Sequence, residues 1–422
     1  MEGYGGGQSF EGEGGGSSEE LGPVSKEPLW DEVIRVGEDM TQLFSPWTTN
    51  CENMDDDDWF NTEFDKALKD LDPKASTGLS VMSRYGASVG VALGWDPVVG
   101  AYNPQRVMVL RAVTRMRLRN PEQPDSILVF IKPEPHKVSK LRDGRLRLIS
   151  AVSMVDTMVD RVMFGWLQRA VMRSVGHTPA LVGWSPYGGG YRLLTSRYDG
   201  QQALCVDKSS WDWTVKGWLL KIVRDVIKRL AVGSPEWWEE WVDKRWEALF
   251  RDAVFEFRSG EKIKQPNWGV MKSGCYLTIL INSICQCVLH SIACQRLQIE
   301  PHWQYFFCVG DDTLQRPVKD LEAYFAELSV LGARIKDFRV SDEIEFCGHY
   351  MRGLEIKPAY SAKHVFKITH ADSETLIPML QAYQWAYAMH DSMWVWLTSN
   401  LIKLAPRLLR NRGHARALLQ DC

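Results

Sequence analysis

Residues 304–316 read QYFFCVGDDTLQR. Two adjacent carboxylates, Asp311 and Asp312, follow an apolar run, with Gly310 between. The run 304–309 has the composition of a buried strand, and TLQRPV after the acids offers it a partner. Gly310-Asp311 then falls where a two-residue hairpin loop turns. Glycine at the first loop position suits a type II′ turn. That expectation puts Asp311 and Asp312 at an exposed hairpin tip. Like charges side by side repel unless water or a cation offsets them. The pair therefore reads either as an ordinary acidic turn or as a cation site, and three residues alone do not decide.

Three other stretches bear on the choice. ALCVD (203–207) is a second short apolar strand ending in an acid, Asp207, with Asp212 five residues on. Carboxylates on adjacent strand ends can hold two Mg²⁺ ions about 3.5–4 Å apart, which activate a 3′-hydroxyl and stabilise a leaving pyrophosphate. Mg²⁺ keeps several waters, so one or two carboxylates plus substrate phosphates suffice. A strand-ending acid is the plainer reading of Asp207. In KSGCYLTILINSICQ (272–286), Ser273 and Gly274 precede a long apolar helix, and Thr278 and Asn282 share one face of it. Bonding between helices is the plainer reading there. Residues 105–147 hold eleven Lys/Arg against four Asp/Glu. Lys132, Lys137, Lys140, Arg142, Arg145 and Arg147 all fall within 132–147, a density suited to a triphosphate and a phosphodiester backbone. A solvated basic face would look similar.

The 422 residues suffice for two or three subdomains, and 45% apolar with 24% charged residues reads as globular and soluble. Nine cysteines without a CxxC pair read as free thiols in a reducing compartment, with no structural zinc expected. No run of about 18 apolar residues is evident, so no membrane-crossing helix is expected. The Gly-rich, acidic start resembles neither a signal nor a transit peptide. Residues 1–72 carry a net −15 within a total of −3, leaving +12 for the remainder, which suggests a polyanion partner for the body. Residues 1–27 read as a flexible tail and 28–72 as a solvated, weakly ordered acidic segment. Helices are expected over 154–172, 215–230, 234–250 (Ser234 as N-cap, Pro235 at the first position), 275–297, 320–332 and 400–419. Strands and helices mix without a βαβ rhythm, so the class is α+β.

In chain order, the basic segment, Asp207-x4-Asp212, Ser273-Gly274-x3-Thr278-x3-Asn282 and Gly310-Asp311-Asp312 resemble motifs F, A, B and C of viral RNA-dependent RNA polymerases. KPEPHKVSKLRDGRLRLISAVSMVDTMVDRVMFG (132–165) is similar to the sobemovirus and polerovirus branch. WSPYGGGYRLL (184–194) and Trp211 depart from its usual pattern, which points to a divergent sobemo-like virus. The resemblance implies a right-hand fold of fingers, palm (an antiparallel sheet flanked by helices) and thumb. Its boundaries would be an N-terminal acidic, partly disordered segment 1–72, fingers 73–150, palm 151–252, a fingers insertion 253–268, palm 269–352 and thumb 353–422. Asp207, Asp311 and Asp312 would be metal ligands, with Mg²⁺ as cofactor and Mn²⁺ able to substitute. Asp212, Ser273, Gly274, Thr278 and Asn282 would select the ribose. Lys132, Arg145 and Arg147 would bind the triphosphate; Lys137, Lys140 and Arg142 would bind RNA. LSVLGARIKDF (328–338) resembles motif D, making Lys336 a proton donor to pyrophosphate; EFCGHYM (345–351) resembles motif E. The basic last helix would track the product duplex. Implied partners are template and product RNA, NTPs, a genome-linked protein primer and other viral replication proteins, in cytoplasmic replication complexes of the host reached without a transmembrane segment. LWDEV (29–33) and DDDDWF (55–60) resemble such a genome-linked protein, and an autoinhibitory, nucleic-acid-mimicking head is the alternative. Two other readings are a reverse transcriptase-like palm and a non-catalytic RNA-binding protein. The first usually carries Tyr-x-Asp-Asp, and the complete acid set disfavours the second.

Overall fold

The apolar run at 275–297 condenses into a helix in which every residue from Leu280 to Cys294 is buried. A helix apolar on all sides has no face for water, so other elements enclose it. The computed structural model describes residues 25–55 and 57–421. In chain order its longer helices are Trp30–Leu43 (α1), Asp57–Lys69 (α2), Pro104–Arg119 (α3), Met154–Arg173 (α4), Gly217–Leu230 (α5), Glu236–Phe250 (α6), Thr278–Leu297 (α7), Leu321–Val330 (α8), Ser361–Thr369 (α9), Leu376–Ala386 (α10), Asp391–Leu404 (α11) and Arg412–Gln420 (α12). By length and composition α7 is apolar enough to cross a membrane, with a mean hydropathy of 1.3, so the expectation of no such helix is corrected. Its most apolar stretch is 83% buried inside the protein, as in a core helix.

Strand β1 (Ile127–Ile131) pairs antiparallel with β2 (Leu148–Ala151). The next strand, β3 (Ala203–Lys208), belongs to another sheet. Residues 254–257 (β4) run parallel to β1, and 262–264 (β5) fold back on β4, giving the order β2-β1-β4-β5. The hairpin β6 (Phe307–Val309) and β7 (Asp312–Gln315) joins β3, and β8 (Ile335–Ser341) closes the other side, in the antiparallel order β8-β3-β7-β6. A meander of β9 (Ile344–Phe346), β10 (His349–Arg352) and β11 (Glu355–Pro358) packs against β3 and β7 through β9. Separate antiparallel and mixed sheets among helices give the α+β class anticipated.

The N-terminal region departs from expectation. Residues 1–24 lie outside the described residues, so the flexible tail expected over 1–27 is described only from 25. The segment 28–72 is not a weakly ordered tail. Most of its acids lie on the outer faces of α1 and α2, Glu63 being buried, while Val36, Met40, Phe44, Trp47, Phe60 and Phe64 join the main core. Two arginines of α3 answer the acids: Arg111 meets Asp65 at 2.5 Å and Arg115 meets Asp57 at 2.6 Å. Their guanidinium planes lie over Phe64 and Phe60. Arg296 of α7 grips both oxygens of Glu32 at 2.8 and 3.0 Å and reaches Glu327 of α8. LWDEV is thus built into the helical body.

Element ends shift for local reasons. Pro235, not Ser234, stands at the N-cap of α6, and the Ser234 hydroxyl donates to Glu239 instead. The strand expected over 304–309 is shortened because 303–305 form a 3₁₀ turn. The single helix expected over 400–419 is two: α11 ends at Leu404, Pro406 opens a 3₁₀ turn, and the Asn411 side chain caps α12.

Candidate active site

The hairpin β6–β7 pairs Val309 with Asp312, leaving Gly310 and Asp311 as its two-residue loop. Gly310 has φ of +61° and Asp311 does not share the positive φ, as type II′ requires. The Gly310 N–H donates to Ser283 Oγ on α7 at 2.9 Å. With the tip packed on α7 and beside the Cys347 turn, Asp311 and Asp312 are half-buried, which corrects the expectation of an exposed pair. Burial raises the Asp311 carboxyl. Burial, then the charges of Asp311 and Asp207, push Asp312 up to about 6. Three acids therefore feel one another. Asp207, next to last in β3, lies beside them, because Val206 pairs with Thr313. Its Oδ2 accepts from Lys336 Nζ at 3.2 Å. A cavity of about 280 Å³ opens between Asp207, Asp312, Lys336, Cys347 and Tyr360.

Asp212 and Asn282 also come together. Asn282 Nδ2 donates to Asp212 Oδ1 at 3.2 Å, and Trp211 Nε1 donates to Asn282 Oδ1 at 2.9 Å. Thr278 opens α7 one turn earlier, half-buried. Ser273 and Gly274 are engaged elsewhere: Ser273 Oγ accepts from the Ser150 N–H at 3.0 Å, and the Gly274 N–H donates to the Ser150 carbonyl at 3.0 Å. A Cβ on Gly274 would stand 2.5 Å from that carbonyl oxygen, so the loop needs glycine for close approach to β2.

The basic segment is organised around a residue the sequence reading did not single out, Glu134. Lys132, Arg147 and, from α9, Lys363 reach its carboxylate at 3.1, 3.0 and 3.8 Å. Burial alone would raise Glu134, but these cations outweigh it and hold the carboxyl below its ordinary value. Arg147 also lowers Asp311, so the cradle faces the acid cluster. Arg145 pairs with Asp143. Lys137, Lys140 and Arg142 belong to the short helical turn at 137–142, with Lys137 and Arg142 exposed. Lys208 was missed as well. It is buried, donates to Thr313 Oγ1 at 3.3 Å, and burial pulls its ammonium down to about 8 against the opposing pull of Asp311. A lysine inside ALCVDK was its only signal.

The family described as "Viral RNA-dependent RNA polymerase" matches residues 125–378. The chain belongs to that family. Its order of basic segment, Asp207, Asn282 and acidic hairpin is thus the order of a viral RNA-dependent RNA polymerase. Relatives include "Protein P1-P2" of Potato leafroll virus, 29% identical over 58% of this chain and 23% of that protein. "Replicase polyprotein P2AB" of Southern cowpea mosaic virus is 27% identical over 72% of this chain and 31% of that protein. The protein of the same name from Southern bean mosaic virus is 30% identical over 58% and 25%. The sobemovirus and polerovirus likeness is borne out, and the chain spans about a quarter to a third of these relatives' length.

Among the described residues no three His, Cys, Asp or Glu side chains converge on one point as a ready metal nest, and Asp207 is paired with Lys336. The donor set still fits a divalent cation. All its atoms are carboxylate oxygens, which hard cations prefer, and the mutual repulsion that raises Asp312 is what a cation would relieve. In the last helix, the side chains of Arg412 and Arg416 donate to the Ala388 carbonyl, and Ala415 and Leu419 are core residues.

Proposed function

We propose that the chain synthesises RNA on an RNA template from NTPs, replicating a positive-strand viral genome. The observation that carries this reading is the placing of Asp207 on β3 beside the β6–β7 hairpin of Asp311 and Asp312, close enough for the charges of Asp311 and Asp207 to raise Asp312, with Arg147 acting on Asp311. Asp207 and Asp311 hold the metal ions, with Asp312 secondary. When bound there, two Mg²⁺ ions, or Mn²⁺ in their place, supply activation of the 3′-hydroxyl and charge for the leaving pyrophosphate. Lys132 and Arg147 bind the triphosphate, turning from Glu134, with Arg145 at the rim. Asp212 and Asn282 present polar groups to the ribose 2′-hydroxyl, Thr278 completes that face, and Ser273 with Gly274 sets the loop that carries it. Lys336, exposed beside Asp207, protonates pyrophosphate. Lys137, Lys140 and Arg142 contact RNA phosphates. The sheet β8-β3-β7-β6 with α7 is the palm, the sheet of β1 and β2 belongs to the fingers, and residues 353–422 form the thumb. The relatives' polyprotein names support further viral proteins as partners; a genome-linked primer and a place in host cytoplasmic replication complexes belong to the same proposal.

The test is incorporation of labelled NTP on a homopolymeric template with Mg²⁺ or Mn²⁺. Asp311→Ala should lose at least about 100-fold of the rate. Unchanged synthesis would sink the metal assignment, and a preference for dNTPs would sink the RNA assignment.

A further inference from the structure

Beneath the acid cluster lies a small cavity of about 10 Å³, room for one water. Lys208, Gln286, Gln315 and Tyr324 are among its walls. Gln286 Nε2 and Gln315 Nε2 are buried there without a hydrogen-bond partner, in side chains only 2% and 4% exposed. A buried orphan donor is costly, so two lining one cavity point to something inside it.

One orphan is resolved by following the protons. The Pro301 carbonyl can only accept, so His290 Nε2, 2.8 Å away, carries the proton. Burial pulls the His290 pKa down to about 4, so the ring is neutral and Nδ1 accepts. The Tyr324 hydroxyl, 2.7 Å from Nδ1, donates its single proton there. Its oxygen is left to accept, and the Gln315 amide 3.1 Å away must present its NH₂ group. The Gln315 carbonyl oxygen then turns into the cavity. A water placed there accepts from Gln286 Nε2 and Lys208 Nζ and donates to Gln315 Oε1, which gives both orphaned glutamine side chains a partner.

This water tethers an ammonium whose position matters. Lys208 directly follows Asp207, and among the described residues its ammonium donates to Thr313, which directly follows Asp312. The carboxylates that act on it are Asp311, Asp312 and Asp207, with Cys308 also close by. We propose that Lys208 is a resident counter-cation of the acid cluster, held beneath it by one buried water shared with Gln286 and Gln315, and that its charge weakens uptake of divalent cations by the cluster when no nucleotide is bound. Metal would then load mainly together with the triphosphate. The inference rests on Asp207, Asp311 and Asp312 being metal ligands.

The experiment is Mn²⁺ titration of the full chain at pH 7, without RNA or nucleotide, followed by electron paramagnetic resonance. Lys208→Gln keeps polar contact without the charge, and Lys208→Met removes both. Either variant, if folded, should bind Mn²⁺ at least about ten-fold tighter than wild type, since a fixed positive charge beside the ion is gone. A lost anchor that merely loosened the site would weaken binding instead. Equal or weaker binding in both variants overturns the counter-cation role. Asp311→Ala is the control: if it binds Mn²⁺ like wild type, the metal-site reading fails instead. An experimental structure with one ordered water between Gln286, Gln315 and Lys208 supports the tether, and a dry cavity overturns it.

Discussion

At the scale of single residues, His290 shows how burial becomes pH dependence. Its pKa lies near 6.5 in an unfolded chain and is pulled down to about 4 in the fold by burial. The neutral ring's contribution to stability is therefore complete above about pH 6.5 and is lost as pH falls toward 4. The size is about 3 kcal/mol. Chemical denaturation between pH 7 and 4 should show that His290→Gln, though less stable at pH 7, loses less on acidification than wild type; parallel curves would refute the assignment. Asp207, Asp212, Asn282, Asp311 and Asp312 were legible because each sits at a local change from apolar run to acid or amide. Lys208 was not, since beside Asp207 in the chain it looks like half of a solvated ion pair. Only the pairing of β3 with β7 puts it beneath the acids.

At the scale of elements, long apolar periodicities were read correctly and their ends were not. The cores of α4, α5 and α7 follow from composition, whereas the break at Ala405 depends on Pro406 and the start of α6 on Pro235. The turn before α7 is set by a contact made 123 residues away in sequence. Ser273 and Gly274 were grouped with Asn282 by spacing, yet their own bonds go to Ser150. Gly274→Ala should therefore act on this joint. Its Cβ would meet a backbone oxygen that no rotamer change can move, at a cost of about 1–3 kcal/mol. Thermal unfolding should fall by several degrees, and the Ser150 amide should exchange faster with deuterium. Unchanged protection at Ser150 would count against the contact.

At the scale of the whole molecule, the acidic N-terminal region reads as a tail because its partners lie 46 and 58 residues further along the chain. Charge counted by segment cannot show that pairing. The +12 assigned to the body is accordingly not a field of +12, since Arg111 and Arg115 are already neutralised by Asp65 and Asp57. The distinction becomes measurable as counterion release. Each cation that truly meets a phosphate steepens the fall of RNA affinity with salt, by roughly 0.7–0.9 in the logarithmic slope. Filter binding across salt concentrations should give Lys137→Ala a slope shallower by about that amount, whereas Arg111→Ala should leave the slope where it was. On that expectation the two arginines of α3 that pair with the acidic helix add nothing to the salt dependence, and fewer ions are shed on RNA binding than the sequence's count of lysines and arginines suggests.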